Sequence, residues 1–277
     1  MSPVALADRG DRQVGPEVDE TIVHAYGVVA ANEPLGRFPP GIADTRVWVF
    51  DAERLAAIVS LLPVEGFGAR EWEQNAENLR WLAPVARRHH EVLQHASANV
   101  AVVPLRLPSL YGSVESLADT LRSASDRLEH ELYRIQGKRE WAVKVYRTAK
   151  EESSTGGAGS TTGRDYLLTR SRDLSARSKA REQLQNQVRE IHDALGDVSA
   201  EHLRSRPQDA ALSGRKEQML LNGAYLVSHA DEVRFLGLAA EIADSSLPSG
   251  LLVEVSGPWP AYNFTGEAEA TTTAVIR

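Results

Sequence analysis

Apolar residues recur along this chain at two different periods, and these periods predict a mixture of strands and helices. A strand places alternate side chains on opposite faces, whereas a helix returns to the same face every three or four residues. Runs of β-branched, aromatic or alternating residues predict strands at 21–30, 46–50, 55–60, 99–107, 139–147, 203–206, 217–229 and 251–255. Helical periodicity predicts helices at 79–96, 113–136, 165–195 and from Asp231 towards Pro248.

The order of the predicted elements indicates the fold class. From Gly137 onward it is β, α, a weak β, β, α, β, the split βαβ, ferredoxin-like order of an antiparallel sheet with two helices on one face. The first half has the order β, β, β, α, β, α. Because 277 residues exceed the usual size of one domain, we predict two α/β domains in an α+β protein. They are an N-terminal α+β domain at 21–136 and a ferredoxin-like domain at 137–264, with a disordered tail at 1–20 and a second tail at 265–277.

Proline, glycine and capping residues set the predicted limits of several elements. Pro84 starts or kinks its helix, since proline has no amide hydrogen to donate. Ser113 is a favourable N-cap, and a single helix is predicted from there to Gly137. Asn222-Gly223 indicates a bulge. Gly257-Pro258 is predicted to end the last strand, because a Gly-Pro pair favours a turn.

Composition narrows the class of protein. Hydrophobic residues make up 42% of the chain and charged residues 25%, which is typical of a soluble globular protein with a core. The formal charge of −7 argues against a nucleic-acid partner. The sequence has no cysteine, so disulfides, thiol catalysis and cysteine-ligated metals are excluded, and a reducing cytoplasm fits. No apolar run has the length of a membrane span, and residues 1–20 do not resemble a signal peptide.

Three neighbouring histidines are the first candidates for chemistry. His89, His90 and His95 do not have the four-residue spacing that places two ligands on one helical face, and Arg87 and Arg88 disfavour a bound cation. We therefore predict exposed or capping histidines rather than a metal site.

No catalytic motif emerges elsewhere in the sequence. The glycines at 156–163 end in Thr-Gly-Arg-Asp rather than the Gly-Lys-Ser/Thr of a phosphate-binding loop, so a linker is predicted. Acidic residues are plentiful, but no pair can be assigned as general acid and base. The residues alone indicate a protein that works by binding.

Two features indicate where a binding surface lies. Arg106 interrupts a buried-type strand, so it is either paired internally or placed at a functional surface, and both remain open. The stretch LLVEVSGPWPAYNF, from Leu251 to Phe264, carries Trp259, Tyr262 and Phe264 on a proline-stiffened segment. Large aromatics seldom stay in water, so this segment is predicted to fold back onto the core or to meet a partner.

Six segments together resemble the gas vesicle GvpF/GvpL family of accessory proteins. They are AYGVV at 25–29, VVPLRL at 102–107, GKREWAVKVY at 137–146, YLLTR at 166–170, NGAYLVSHADEVRF at 222–235 and VEVSGPWPAYNF at 253–264. They occur in order over nearly the whole chain from Thr21 onward. One departure is Leu107-Pro108-Ser109, where family members often have Phe-Gly, and it leaves the detail around Arg106 open.

The resemblance implies a role in building gas vesicles, the gas-filled protein shells that give some prokaryotes buoyancy. It implies an accessory protein with a ferredoxin-like C-terminal domain that binds the small, hydrophobic major shell protein as a minor structural or assembly component. Other accessory proteins are further expected partners, within the gas vesicle and the cytoplasm. It implies no enzymatic activity, cofactor, metal, nucleic acid or membrane. The alternative is a ferredoxin-like small-molecule sensor or enzyme.

Aromatic side chains dominate many protein interfaces, and this gives the expected contact residues. We expect Arg106, Trp141, Trp259, Tyr262 and Phe264 to contribute to partner binding. For Trp141, which alternates with Val143 and Val145, ordinary core packing is the favoured interpretation.

Overall fold

Two antiparallel β-sheets with interleaved helices form the protein. The computed structural model describes residues 21–148, 163–207, 215 and 217–266. The predicted tail at 1–20, most of the predicted tail at 265–277 and nearly all of the glycine-rich segment at 156–163 lie outside these residues. No helix in the described ranges has the length and apolarity needed to cross a membrane.

The first sheet is built from the first half of the chain. Its strands are β1 Thr21–Ala30, β2 Val47–Ala52, β3 Leu55–Pro63, β4 Val103–Pro104 and β5 Leu110–Tyr111. The order is β2-β3-β1-β4, with β5 also paired to β1. The central strands β1 and β3 are buried along most of their length, because both faces of this sheet are covered.

One face of the first sheet is covered by the helices that follow β3. They are α1 Val64–Phe67, α2 Ala69–Asn75 and α3 Leu79–Ser97. Val85, Val92 and Leu93 of α3 pack against Tyr26 and Ile58 of the sheet. Pro84 lies inside α3, which begins five residues earlier at Leu79, where the Asn78 side chain accepts a hydrogen bond from the Arg80 amide.

Two helices fill the space between the sheets. They are α4 Val114–Ser123 and α5 Ser125–Ile135. Leu117 of α4 and Leu132 of α5 belong to one buried cluster with Val23 of β1 and with Leu226 of the second sheet. The two sheets therefore share a single apolar layer.

The second sheet comes from the second half of the chain. Its strands are β6 Lys138–Arg147, β7 Glu201–Ser205, β8 Gln218–Ser228 and β9 Leu251–Trp259, in the order β7-β8-β6-β9. The face away from α4 and α5 carries α6 Gly163–Gly196 and α7 Glu232–Ser246. Ile191 of α6 and Phe235 of α7 pack there on Val143, Val145 and Tyr225.

Two predictions in the first half were wrong in detail. The single helix predicted after Ser113 is broken at Ala124, where the backbone leaves the helical region and short polar residues on either side favour a new helix start. The Ser113 cap is confirmed, since its hydroxyl accepts from the Ser116 amide. The strand predicted at 99–107 is reduced to Val103–Pro104, because proline cannot donate to a ladder.

Two predictions in the second sheet were also wrong. The bulge is not at Asn222-Gly223; the register shifts where Val145 and Tyr146 pair with Leu221 and Met219. The last strand does not end at Gly257-Pro258 but continues to Trp259. Proline is tolerated there because β9 is an edge strand, with β6 as its neighbour in the described sheet.

Candidate functional site

The segment after β9, Pro260–Gly266, joins the second sheet to helices of the first half; we call it the exit segment. Its main anchor is Glu140 of β6, which is only 2% exposed. One carboxylate oxygen accepts from the Asn263 backbone amide at 2.9 Å, and the other accepts from the Asn263 side-chain amide at 2.6 Å. Burial raises the pKa of Glu140, and these two hydrogen bonds oppose the rise.

A second anchor follows directly, at Phe264. Phe264 is buried in the layer shared by the two sheets. Arg134 of α5 donates a hydrogen bond to the Phe264 carbonyl and forms an ion pair with Glu201 of β7 at 3.0 Å. One guanidinium group therefore connects α5, the exit segment and the edge of the second sheet.

Three aromatic rings meet at the residues just before these anchors. His90 of α3 lies 5.1 Å from the ring of Trp259, centroid to centroid, and its Nδ1 is 3.1 Å from the Tyr262 hydroxyl. Trp259 also donates to the Ser256 hydroxyl at 3.3 Å. We call His90, Trp259 and Tyr262 the aromatic patch.

The aromatic patch is held in place but remains accessible. Tyr262 is 40% exposed and Trp259 is half-buried, although Ala261 and Phe264 on either side of Tyr262 are buried. Burial raises the pKa of the Tyr262 hydroxyl, and the nearby Glu140 carboxylate raises it further. Burial lowers the pKa of His90. Both groups are thus neutral near pH 7, and the patch presents ring surface rather than charge.

The other residues expected from sequence occupy different environments. Trp141 is 8% exposed and packs in the core of the second sheet. It lies close to β9, because a side chain at Gly257 would be 3.0 Å from its ring. Arg106 is exposed in the loop between β4 and β5, where its carbonyl accepts from the Ser109 hydroxyl at 2.6 Å.

Sequence reasoning missed three residues of this site, namely His90, Glu140 and Asn263. Glu140 lies 123 positions from Asn263 and His90 lies 172 positions from Tyr262. No spacing rule links residues so far apart. The one local indication was Glu140 itself, a glutamate in β6, whose other buried residues are aliphatic or aromatic.

One of the three histidines of α3 differs from the prediction. His89 is not exposed: it is buried beside His24 of β1, with His24 Nε2 and His89 Nδ1 3.0 Å apart. The Nε2 of His89 lies 3.2 Å from the Leu105 carbonyl and donates to it, because a carbonyl can only accept. Burial lowers the pKa of His24, and lowers that of His89 to about 4. No group of three potential metal-ligating side chains occurs among the described residues.

Comparison with known proteins identifies the relatives of this chain. A family model described as "Gas vesicle synthesis protein GvpL/GvpF" matches residues 22–266. Gas vesicle protein L of Streptomyces sp. (strain CB03234) is 33% identical over 220 residues, which are 78% of this chain and 81% of that protein. Gas vesicle protein F2 of Halobacterium salinarum is 26% identical over 248 residues, 89% of this chain and 93% of that protein.

Two crystal structures share the fold. Gas vesicle protein GvpF from Anabaena sp. PCC7120 superposes with a TM-score of 0.66 at 19% identity, covering 89% of this chain and 96% of that one. GvpF from Microcystis aeruginosa gives a TM-score of 0.63 at 17% identity, covering 88% and 98%. At such identities the likeness concerns the mixed α and β architecture alone.

Proposed function

This chain belongs to the GvpL/GvpF family of gas vesicle synthesis proteins, and from that membership we propose that it binds the hydrophobic major shell protein while vesicles form. The membership itself supports a role in gas vesicle formation. The family is one of structural and accessory proteins and not a known enzyme family. The expected partners and the location at the gas vesicle in the cytoplasm are part of this proposal.

The proposal includes the organisation of the chain. Residues 137–264 form a ferredoxin-like unit, and residues 21–136 form the N-terminal α+β unit. The element order β6, α6, β7, β8, α7, β9 and the strand order β7-β8-β6-β9 support this description of the second unit.

A shell protein with large apolar surfaces needs those surfaces covered before assembly, because exposed apolar surface promotes aggregation. The observation that carries the proposal of a docking site is the partly exposed aromatic patch, whose Tyr262 directly precedes the two anchors at Asn263 and Phe264. An aromatic ring that is already fixed loses little conformational freedom when a partner packs on it. Trp259 and Tyr262 therefore suit an apolar partner.

Each expected contact residue has a role in this proposal. Trp259 and Tyr262 pack against the shell protein directly. Phe264 anchors the exit segment in the apolar layer shared by the two sheets, and Trp141 packs beneath β9 next to Gly257. Arg106, which is exposed, contributes at the rim, where charged residues affect the rate and specificity of association more than its strength.

A pull-down with purified major shell protein tests the site. The double variant Trp259→Ala/Tyr262→Ala is expected to weaken binding at least about tenfold, as loss of two aromatic anchors typically does. Leu247→Ala, which truncates a 58% exposed side chain after α7, is the matched control and should bind normally. Circular dichroism confirms that both variants are folded. Unchanged binding by the folded double variant would show that the aromatic patch is not the docking site.

Fractionation of vesicles tests the nature of the role. A structural component is retained in stoichiometric amount in washed, mature vesicles, whereas an assembly component is lost from them. The competing sensor or enzyme hypothesis predicts a small molecule that co-purifies with the chain and is detected by native mass spectrometry. If the chain does not bind the shell protein and such a ligand is found, the sensor or enzyme hypothesis replaces the proposed function.

A further inference from the structure

Two buried histidines connect α3 to the first sheet. His24 lies between Ile22 and Tyr26 of β1, both of which belong to the apolar cluster beneath α3. His24 Nε2 and His89 Nδ1 are 3.0 Å apart, and His89 Nε2 donates to the Leu105 carbonyl at 3.2 Å. Both imidazoles are buried. Two hydrogen bonds thus join β1, α3 and the residue after β4 inside an otherwise apolar layer.

The pair has no place for an additional proton. Because His89 Nε2 carries the proton that binds the Leu105 carbonyl, His89 Nδ1 is the acceptor for His24. A proton added to His89 Nδ1 would set two donors against each other. A proton added to His24 Nδ1 would have no acceptor among the described residues. Either event therefore breaks the hydrogen bond between β1 and α3 or leaves a buried charge unpaired.

The groups around the pair do not compensate for a positive charge on it. The titratable or charged residues beside the pair, in sequence or across the sheet, are Tyr26 of β1, Arg88, His90 and Glu91 of α3, Arg106 of the β4–β5 loop and Tyr111 of β5. On β3 the residue opposite His24 is Ser60, which does not titrate. Arg88 forms ion pairs with Glu91 and with Asp44, and Arg106 is exposed.

These surroundings shift both histidines in the same direction. Burial lowers the pKa of His24, and His89 lowers it further. Burial also lowers the pKa of His89, to about 4; the Leu105 carbonyl opposes this shift and His90 adds to it. Burial raises the pKa values of Tyr26 and Tyr111, so both tyrosines stay neutral. The closed arrangement of β1 and α3 is therefore an arrangement of neutral histidines.

The same helix carries one residue of the aromatic patch. His89 and His90 are consecutive, so they lie about 100° apart around α3, with His89 towards the sheet and His90 towards the exit segment. His90 Nδ1 is 3.1 Å from the Tyr262 hydroxyl, and its ring is 5.1 Å from that of Trp259. Because a helix moves as a rigid element, α3 cannot leave the sheet at His89 without displacing His90.

We propose that the His24–His89 pair is an acid-sensitive latch, which holds α3 on the first sheet at neutral pH and releases it when either histidine takes up a proton. Release moves His90 away from Trp259 and Tyr262, so the aromatic patch comes apart while the second sheet stays folded. The effect of release on binding of the shell protein rests on the proposed function. The latch itself is tested on the chain alone, so either proposal can fail without the other.

Hydrogen exchange of the full-length chain at pH 7.5 and pH 5.5 tests the latch. The protection of each amide is its exchange rate relative to an unfolded chain at the same pH, which removes the intrinsic effect of pH. Protection of the α3 amides should fall at least about tenfold between pH 7.5 and 5.5, the factor expected when release of α3 returns one lowered histidine to its ordinary pKa. At pH 5.5 it should also be at least about tenfold below that of the β8 amides, because α3 opens before the second sheet.

Two outcomes of this experiment would overturn the proposal. One is protection of α3 that does not change with pH. The other is equal protection of α3 and β8 at pH 5.5, since the histidines would then act only when the whole chain unfolds. NMR of the imidazole nitrogens gives a second readout: His24 and His89 should be neutral at pH 7.5 and should gain protons in step with the loss of α3 protection.

Glutamine variants assign the release to the pair. In His24→Gln/His89→Gln the side-chain amides can donate to the Leu105 carbonyl and to each other, but they take up no proton in this pH range. The change in α3 protection with pH should shrink to less than about twofold. His90→Gln removes the neighbouring histidine and keeps the latch, so the tenfold change should remain. A full change in the folded double variant, or loss of the change in His90→Gln, would assign the release to another group and overturn the proposal.

Discussion

His24 and His89 face each other at 3.0 Å in the buried space between β1 and α3. The Leu105 carbonyl fixes the proton of His89 on Nε2, so His24 donates its own Nε2 proton to His89 Nδ1. The remaining nitrogen, His24 Nδ1, is buried and without a partner among the described residues. Both imidazoles are neutral in this arrangement, and a proton added to His24 Nδ1 would have no hydrogen-bond acceptor among the described residues.

Stability should therefore fall on mild acidification. Both pKa values are lowered in the folded state, to about 4 for His89, so the unfolded chain binds more protons below pH 6.5. The stabilisation is complete above pH 6.5 and is lost as the pH falls towards 4. The free energy of unfolding should be about 1 to 3 kcal/mol lower at pH 5.5 than at pH 7.5. Urea denaturation at pH 5.5 and at pH 7.5 measures this difference in the free energy of unfolding.

Substitution assigns this pH dependence to the pair. His24→Leu removes one of the two groups, so the drop between pH 7.5 and 5.5 should shrink by roughly half, whatever the effect on absolute stability. His130→Gln, at an exposed position of α5, should leave the drop unchanged. If His24→Leu retains the full drop, other groups are responsible.

The Glu140–Asn263 contact should contribute measurably to stability. Asn263→Ala removes the side-chain donor at 2.6 Å and leaves a buried carboxylate oxygen unpaired, so a loss of about 1.5 to 3 kcal/mol is expected in urea denaturation. The pKa of Glu140 should rise further, because a hydrogen bond that favours its charged form is lost. Asn186→Ala, on the exposed face of α6, should change stability by less than about 0.5 kcal/mol. If Asn263→Ala and Asn186→Ala change the free energy of unfolding equally, the Glu140–Asn263 contact contributes little to stability.

Gly257 should not tolerate a side chain. Its φ of +140° belongs to a region that only glycine adopts readily, and a Cβ would lie 3.0 Å from the Glu140 carbonyl oxygen and from the Trp141 ring. Gly257→Ala should destabilise the protein by about 1 to 3 kcal/mol. Gly237→Ala, in α7 with open space around it, should stabilise it by about 0.5 to 1 kcal/mol. Thermal denaturation should show a lower melting temperature for Gly257→Ala and a higher one for Gly237→Ala. A melting temperature that rises in both variants would contradict the strain at Gly257.

The Tyr26 hydroxyl should contribute measurably to the stability of the fold. It accepts a hydrogen bond from the Ile42 amide at 3.0 Å and lies 3.0 Å from the Ser60 hydroxyl, in a fully buried position. Tyr26→Phe leaves a buried amide without its acceptor and should cost about 1 to 3 kcal/mol in urea denaturation. Tyr133→Phe, at a 76% exposed ring, should change stability by less than about 0.5 kcal/mol. If Tyr26→Phe leaves the free energy of unfolding unchanged, water replaces the lost hydroxyl as the hydrogen-bond partner.

Local patterns were enough to predict the elements that dominate the fold. The alternation of Trp141, Val143 and Val145 predicted β6, and the long helix and the cap at Ser113 followed from periodicity and side-chain chemistry. The GvpF/GvpL resemblance is confirmed by the family match. The break at Ala124 was missed because the apolar face continues across it, so periodicity carries no sign of the interruption.

The site was less accessible to sequence reasoning than the fold. The exit aromatics were visible because tryptophan, tyrosine and phenylalanine cluster near prolines. His90, which contacts Tyr262, and Glu140, which contacts Asn263, were not visible, because contacts over 100 residues apart depend on how the sheets pack. His89 was misplaced for the same reason: its partner on β1 could not be read from its neighbours.

The apolar layer of α4 and α5 restricts how this protein can be recombined. Leu117 and Leu132 pack in one cluster with Val23 of the first sheet and Leu226 of the second. A chimera that takes its two halves from different relatives would therefore place an inherited layer against a foreign sheet. Mismatched side-chain volumes there would leave cavities or clashes. The two halves are thus expected to be exchangeable between relatives only together. Substitutions at Leu226 should be compensated by substitutions in the α4–α5 layer.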